Sequence, residues 1–130
     1  MKKLMLFLVS VIFTVALNAQ PCFKFLEHPN DSAIIAACEY YGVKHPKIVL
    51  AQAKLETGNY RSKLFKTHKN LFGIRKGKSY VRYNYWWESI IDYRDSIQYK
   101  HRKGEDYHAF LQRIGYAEDP SYIQKLKKLS

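Results

Sequence analysis

Apolar side chains recur at helical spacing along most of the chain, and turn residues divide it into short elements. Ile34, Ile35, Ala37, Cys38 and Tyr41 predict one buried face on a helix from about Ser32 to Tyr41. Pro29-Asn30-Asp31-Ser32 starts that helix and Gly42 ends it. His45-Pro46 opens the next, with Pro46 where its missing N–H costs nothing. This second helix, Pro46–Thr57, is apolar nearly all round, which predicts a central buried position. Gly58–Asn70 reads as a connector in which Ser62–Lys66 forms a helical turn laying Leu64 and Phe65 on the core. Leu71–Ile74 then reads as a strand, Arg75–Lys78 as a hairpin turn and Ser79–Tyr83 as the return strand. A long helix follows from Tyr85 to about His101, with Trp87, Ile90, Ile91 and Ile97 on its buried side. Two more helices are expected at Tyr107–Ile114 and, after Asp119-Pro120, at Ser121–Leu129. The fold class is therefore α+β and mainly α, with about five helices, one small hairpin and no repeat or internal linker.

The N-terminus departs from this pattern. Lys2 and Lys3 precede an apolar run, Leu4–Leu17, and then Asn18-Ala19-Gln20-Pro21. A charged start, an apolar stretch and a small-residue exit predict a cleaved signal peptide over residues 1–20, leaving a domain at 21–130. The run falls short of the roughly 20 apolar residues a membrane span needs, so no stable span is expected after cleavage. A lipoprotein acylated at Cys22 is the alternative at this point. Two cysteines, Cys22 and Cys38, would remain. In an exported protein an even count suggests one disulfide, contributing about 2–3 kcal/mol, with two free thiols as the alternative. The histidines, His28, His45, His68, His101 and His108, show no metal-type spacing, so neither a metal nor a cofactor is expected.

Charge then narrows the partners. The chain carries 22 Lys and Arg against 11 Asp and Glu, a net charge of +11. A basic exported domain meets anionic polymers such as wall glycan with peptide carboxylates, lipid head groups or nucleic acid. The aromatics, 11 Tyr, 7 Phe and 2 Trp, suit stacking on sugars or on single-stranded bases.

One carboxylate stands out in the central helix. Glu56 lies almost at its end, against the negative pole of the helix dipole and beside Leu55. Both the dipole and desolvation favour the protonated carboxyl, the form a general acid needs. The residues alone equally fit a solvated glutamate at a frayed helix end, which is the commoner case.

Four blocks along the chain change that balance. They are Leu50-Ala51-Gln52-Ala53-Lys54-Leu55-Glu56-Thr57-Gly58, Asn70-Leu71-Phe72-Gly73-Ile74-Arg75, Trp87-Glu88-Ser89-Ile90-Ile91-Asp92-Tyr93, and Gly115-Tyr116-Ala117-Glu118-Asp119-Pro120-Ser121-Tyr122. In this order, across about Pro46–Leu126, they resemble the bacterial glucosaminidases of glycoside hydrolase family 73. The resemblance implies a lysozyme-like fold with a small β-lobe flanking a glycan groove. It implies an exported endo-beta-N-acetylglucosaminidase that cuts the β-1,4 bond after N-acetylglucosamine in peptidoglycan. Glu56 matches the family's catalytic glutamate and would protonate the glycosidic oxygen. Tyr116 matches a tyrosine near the site, whose hydroxyl could hold a water or the substrate's acetamido group. Asn70 and Phe72 would line the groove, with Tyr122 as a further substrate contact. Glu88 falls in a matching block and would be another substrate contact, but its place at a helix start equally suits a cap or an ion pair with Arg75 or Arg82. The chain departs from the two-carboxylate scheme of most glycosidases, because Lys76–Tyr85 contains no acid.

The implied partner is the peptidoglycan glycan strand, met by a monomer in the periplasm, in the cell envelope or outside the cell, without nucleic acid. A muramidase or lytic transglycosylase on the same fold and a non-catalytic wall-binding homologue stay open. A nucleic-acid or membrane binder accounts for none of the four blocks.

Overall fold

The structure, a computed structural model, describes residues 21–130. The expected signal peptide lies outside the described residues. A 3-10 turn, Cys22–Phe25, leads to α1, Asp31–Tyr40, whose N-cap Asn30 accepts from the Ala33 N–H at 2.8 Å. The central helix α2 spans Pro46–Thr57, and the short α3 spans Lys63–His68 with Ser62 as its cap. Strands β1, Arg75–Lys76, and β2, Ser79–Tyr80, pair antiparallel with Arg75 opposite Tyr80. Then come α4, Trp86–Ser96, a 3-10 turn at Gln98–Lys100, α5, Tyr107–Arg113, and α6, Tyr122–Leu129.

The core forms where α2 packs between α1 and α6, with α4 behind α1 and α5 beside α6. Ile34, Val49, Leu71, Trp86, Ile90, Tyr93, Phe110, Leu111 and Leu126 are fully buried there. Helix α2 is central as its pattern predicts, but not dry on every side. Val49, Ala51, Gln52 and Ala53 are buried, Ile48, Leu50 and Leu55 are half-buried, and Glu56 reaches solvent. No helix among the described residues is long and apolar enough to cross a membrane.

Three expectations are corrected. Leu71–Ile74 is no strand: Leu71, Phe72 and Ile74 are buried in an irregular turn, and pairing starts only at Arg75. The long helix ends at Ser96, and its buried face is carried by Trp86, Ser89, Ile90 and Tyr93 rather than by Trp87, Ile91 and Ile97, which are half-buried. Trp86 is held inside because its Nε1 donates to the Leu26 carbonyl at 2.9 Å, tying the N-terminal segment to α4. Trp87 instead stacks near the surface between Tyr41 and Tyr85. The expected disulfide is absent: Cys22 is an exposed thiol and Cys38 a buried one. Burial pushes the Cys38 thiol up to about 12, so it stays protonated and packs as a small apolar side chain.

Candidate active site

The last turn of α2 is fixed from several directions. The Thr57 hydroxyl donates to the Ala53 carbonyl at 2.6 Å and accepts from the Tyr60 N–H at 2.9 Å. The Tyr60 hydroxyl donates to Asp31 at 2.7 Å, and Lys54 pairs with the same carboxylate at 2.9 Å. These bonds hold the chain through three consecutive left-handed residues, Gly58, Asn59 and Tyr60. For a bulky residue such as Tyr60 that conformation is strained, and it persists because both its N–H and its hydroxyl are tied down. The backbone under Glu56 therefore has little freedom.

Glu56 points from this turn toward the β-lobe. A methyl group placed on Gly73 would lie 3.7 Å from Glu56 Oε2 and 3.9 Å from the Tyr80 ring. The carboxyl, the Gly73 backbone and the Tyr80 ring thus meet between the helical body and the hairpin, at the place expected for the glycan groove. The Arg75 guanidinium covers the Tyr80 ring at 4.1 Å and hydrogen-bonds its hydroxyl, which fixes that wall. Gly73 has a φ of +64°, where a side chain is strained. Gly73→Ala is expected to lose about 1–2 kcal/mol of stability. It should also lose more activity than unfolding explains, because the methyl would occupy the groove beside Oε2. Thermal melts beside turnover assays at a temperature where both proteins are folded would separate the two effects.

On its other side Glu56 meets tyrosines. Tyr116 and Tyr122 pack with ring centroids 5.5 Å apart, and the Tyr116 hydroxyl donates to the Phe72 carbonyl at 3.3 Å. Tyr122 is buried, and its hydroxyl neighbours Glu56 without meeting hydrogen-bond geometry in the protein. Glu56 keeps an open face to solvent, yet the protein packed behind it disfavours its charge. Burial raises its pKa above the ordinary 4.5, and the Tyr122 hydroxyl pulls the other way without cancelling it. A partly desolvated carboxyl facing an open groove can deliver a proton to a bound oxygen.

Of the residues singled out in the sequence, the fold brings Glu56, Tyr116 and Tyr122 together. Asn70 and Phe72 are corrected. Asn70 is 2 % exposed, and its carboxamide is wholly engaged with backbone. Nδ2 donates to the carbonyls of Ile74 and Val81 at 2.9 and 3.0 Å, and Oδ1 accepts from the N–H groups of Ile74 and Phe72 at 3.0 and 3.3 Å. No donor or acceptor is left for a sugar, so Asn70 shapes the β-lobe. Phe72 is buried with its ring 4.5 Å from that of Tyr93, which leaves its carbonyl rather than its face near the site. Glu88 is a cap, accepting from the Tyr85 N–H at 2.8 Å at the start of α4. Asp92, the next acid along α4, accepts from Tyr83 at 2.6 Å and from Ser96, with Lys76 at 3.5 Å. Neither carboxylate is free to partner Glu56. Among the described residues no cluster of three His, Cys, Asp or Glu side chains could hold a metal ion.

Gln52, which no sequence motif singles out, also lies at the site. It is fully buried in α2, four residues before Glu56 and so on the same face of the helix. Its polarity within an apolar run, in register with the acid, was the available signal.

Comparison with known proteins adds to this geometry. A family model described as Glucosaminidase, mannosyl-glycoprotein endo-beta-N-acetylglucosaminidase, matches residues 31–130. Among solved structures, the catalytic domain of the autolysin Auto from Listeria monocytogenes is similar, with a TM-score of 0.53 and 23 % identity over 91 % of this chain and 93 % of that one. No curated protein matches the sequence.

Proposed function

Because the chain belongs to the Glucosaminidase family, we propose that it is an exported peptidoglycan hydrolase that cleaves the β-1,4 bond after N-acetylglucosamine, with Glu56 as general acid. The observation that carries this reading is the Glu56 carboxyl itself. It is desolvated from behind, its pKa is raised, and it opens onto the groove floored by Gly73 and walled by Tyr80. The name of the Listeria relative, an autolysin, agrees with a cell-wall substrate. So does a basic surface acting on an anionic wall.

In this mechanism a glycan strand lies along the groove with its scissile oxygen at Glu56. The carboxylic acid donates its proton as the C1–O bond breaks and the sugar gains oxocarbenium character. The hairpin from Arg75 to Tyr85 offers no acid, while Glu88 and Asp92 are committed to a cap and a hydrogen-bond cluster. The second group is therefore the substrate's 2-acetamido oxygen, or a water oriented by the tyrosines beside Glu56. Glu56 then recovers its proton from the incoming water. Tyr116 and Tyr122 pack beside Glu56, and the protein acts as a monomer outside the cytoplasm.

Mass spectrometry of digested peptidoglycan tests the reading. New reducing ends of N-acetylglucosamine are expected from the wild-type protein. Reducing-end muramic acid or anhydro products would reassign the bond, and no release of fragments by folded protein would overturn the catalytic reading.

A further inference from the structure

A one-way chain of hydrogen bonds crosses the core behind Glu56. It begins at Gln98, which clamps the backbone of Lys44. The Gln98 Nε2 donates to the Lys44 carbonyl and its Oε1 accepts from the Lys44 N–H, both at 2.8 Å. A backbone N–H only donates and a carbonyl only accepts, so this clamp fixes which end of the Gln98 amide is which. The same Nε2 donates to the Tyr107 hydroxyl at 3.0 Å. Tyr107 still has its own hydrogen to give, and the Tyr93 hydroxyl 2.5 Å away receives it. Tyr93 in turn donates to Gln52 Oε1, also at 2.5 Å. From the Gln98 amide onward, every bond points toward Gln52. The Gln52 amide is thereby held with its oxygen at Tyr93 and its Nε2 donor turned the other way.

That donor is buried and has no partner, and neither has the Tyr122 hydroxyl beside it. Each buried, unpaired polar group of this kind costs about 1–3 kcal/mol. Their chemistry is complementary. Gln52 has a hydrogen to give, Tyr122 has an oxygen to receive it, and the Tyr122 hydrogen then has Glu56 as its neighbouring acceptor. The Tyr116 hydroxyl is committed to the Phe72 carbonyl.

We propose that Gln52 is a positioning residue: locked in one amide orientation from the far side of the core, it gives its N–H to the Tyr122 oxygen and so aims the Tyr122 O–H at the Glu56 carboxyl. This deepens the function proposed above and rests on Glu56 being its acid. The carboxylate left after proton delivery then meets a prealigned donor, so Glu56 can hold its proton in the resting site and still release it. The titratable and charged groups facing Glu56 are Tyr122 of α6, Tyr116 from the turn after α5 and, across Gly73, Tyr80 with Arg75 stacked on its ring; burial raises the pKa of the Tyr116 and Tyr122 hydroxyls above the ordinary value.

The test is a 13C NMR titration of the Glu56 carboxyl, run beside the pH dependence of kcat/KM for glycan cleavage. Tyr122→Phe removes the donor and should raise the Glu56 pKa by about one pH unit, the worth of one hydrogen bond to a charged group. Gln52→Met keeps the volume but loses the N–H, and should shift it the same way by less. Tyr93→Phe frees the Gln52 amide to turn over and should do likewise; it removes one oxygen, so it carries the test if Gln52→Met does not fold. Tyr83→Phe, whose hydroxyl serves Asp92, should leave the titration unmoved. The alkaline limb of kcat/KM should move with the carboxyl. A purely structural role for Gln52 would lower stability without moving either.

Titrations of Gln52→Met and Tyr93→Phe that superimpose on the wild type overturn the proposal. The titration needs no turnover, so it is separate from the enzymatic reading. A folded protein that cleaves no glycan but shows these shifts overturns that reading and leaves the chain of hydrogen bonds standing.

Discussion

Glu56→Gln is expected to lose glycan cleavage by about 10²–10⁴-fold, the range of a general acid's contribution, while remaining folded. The amide keeps the shape of the carboxyl but has no proton to give at any working pH. The same variant should be more heat-stable than the wild type at neutral pH, and the sign follows from linkage. Burial raises the Glu56 pKa in the folded protein above its ordinary 4.5. The folded state therefore binds the proton more tightly than the unfolded chain does. The stability this brings is fully present below pH 4.5 and is lost as the pH rises through the folded pKa. Above that window the charged, partly desolvated carboxylate is a liability which Gln removes. Melting curves of the two proteins should converge in acid and separate toward neutrality. Activity should follow the same titration, falling as rising pH takes the proton from Glu56. A variant that retains full turnover, or one no more stable than the wild type at pH 7, would contradict the assignment.

The second large effect is structural. Asn70→Ala should cost about 3 kcal/mol or more, since it leaves two carbonyls and two N–H groups of the β-lobe without their buried partner. Asn70→Asp should be at least as harmful at neutral pH. It keeps the size and the acceptor, but it cannot donate to Ile74 and Val81, and it places a charge in a site that is 2 % exposed. Urea denaturation would measure both losses. Hydrogen exchange at the Val81 N–H, bonded to the Ile74 carbonyl at 2.9 Å, would report whether the lobe opens before the rest. Were Asn70 a sugar ligand instead, these substitutions would raise KM and leave stability nearly unchanged.

The helices were largely legible in the chain, for reasons that stay within a few residues. Pro46 and Gly58 bracket α2, and both signals act locally, so the helix spans the predicted Pro46–Thr57. The hairpin was legible for the same reason, but its turn is narrower than predicted: Arg75 and Lys76 pair as β1, the chain reverses at residues 77–78, and the return strand is only Ser79–Tyr80. What failed depends on distant partners. Leu71–Ile74 reads as a short apolar strand, but it is organised around one carboxamide and not around a ladder. Trp86 and Trp87 are equally apolar, and a bond from Trp86 to Leu26, 60 residues earlier, decides which is inside. At the site, Glu56 and the tyrosines were readable from their blocks, and Gln52 was readable from its register with Glu56. The order Gln98, Tyr107, Tyr93, Gln52 was not, because nothing in the spacing of four residues on four elements predicts that their polar ends meet.

The hairpin itself has a consequence for how such a scaffold diversifies. Each strand is two residues long, and every side chain from Arg75 to Tyr80 is exposed. Asn70 binds the lobe at its base through Ile74 and Val81, leaving the Lys76–Ser79 tip outside that brace. Insertions or exchanges at the tip would disturb neither the core nor the carboxamide hub. The tip is therefore a graft point: longer or differently charged loops could be exchanged there to alter which glycans are admitted, while Glu56 and its supports stay as they are.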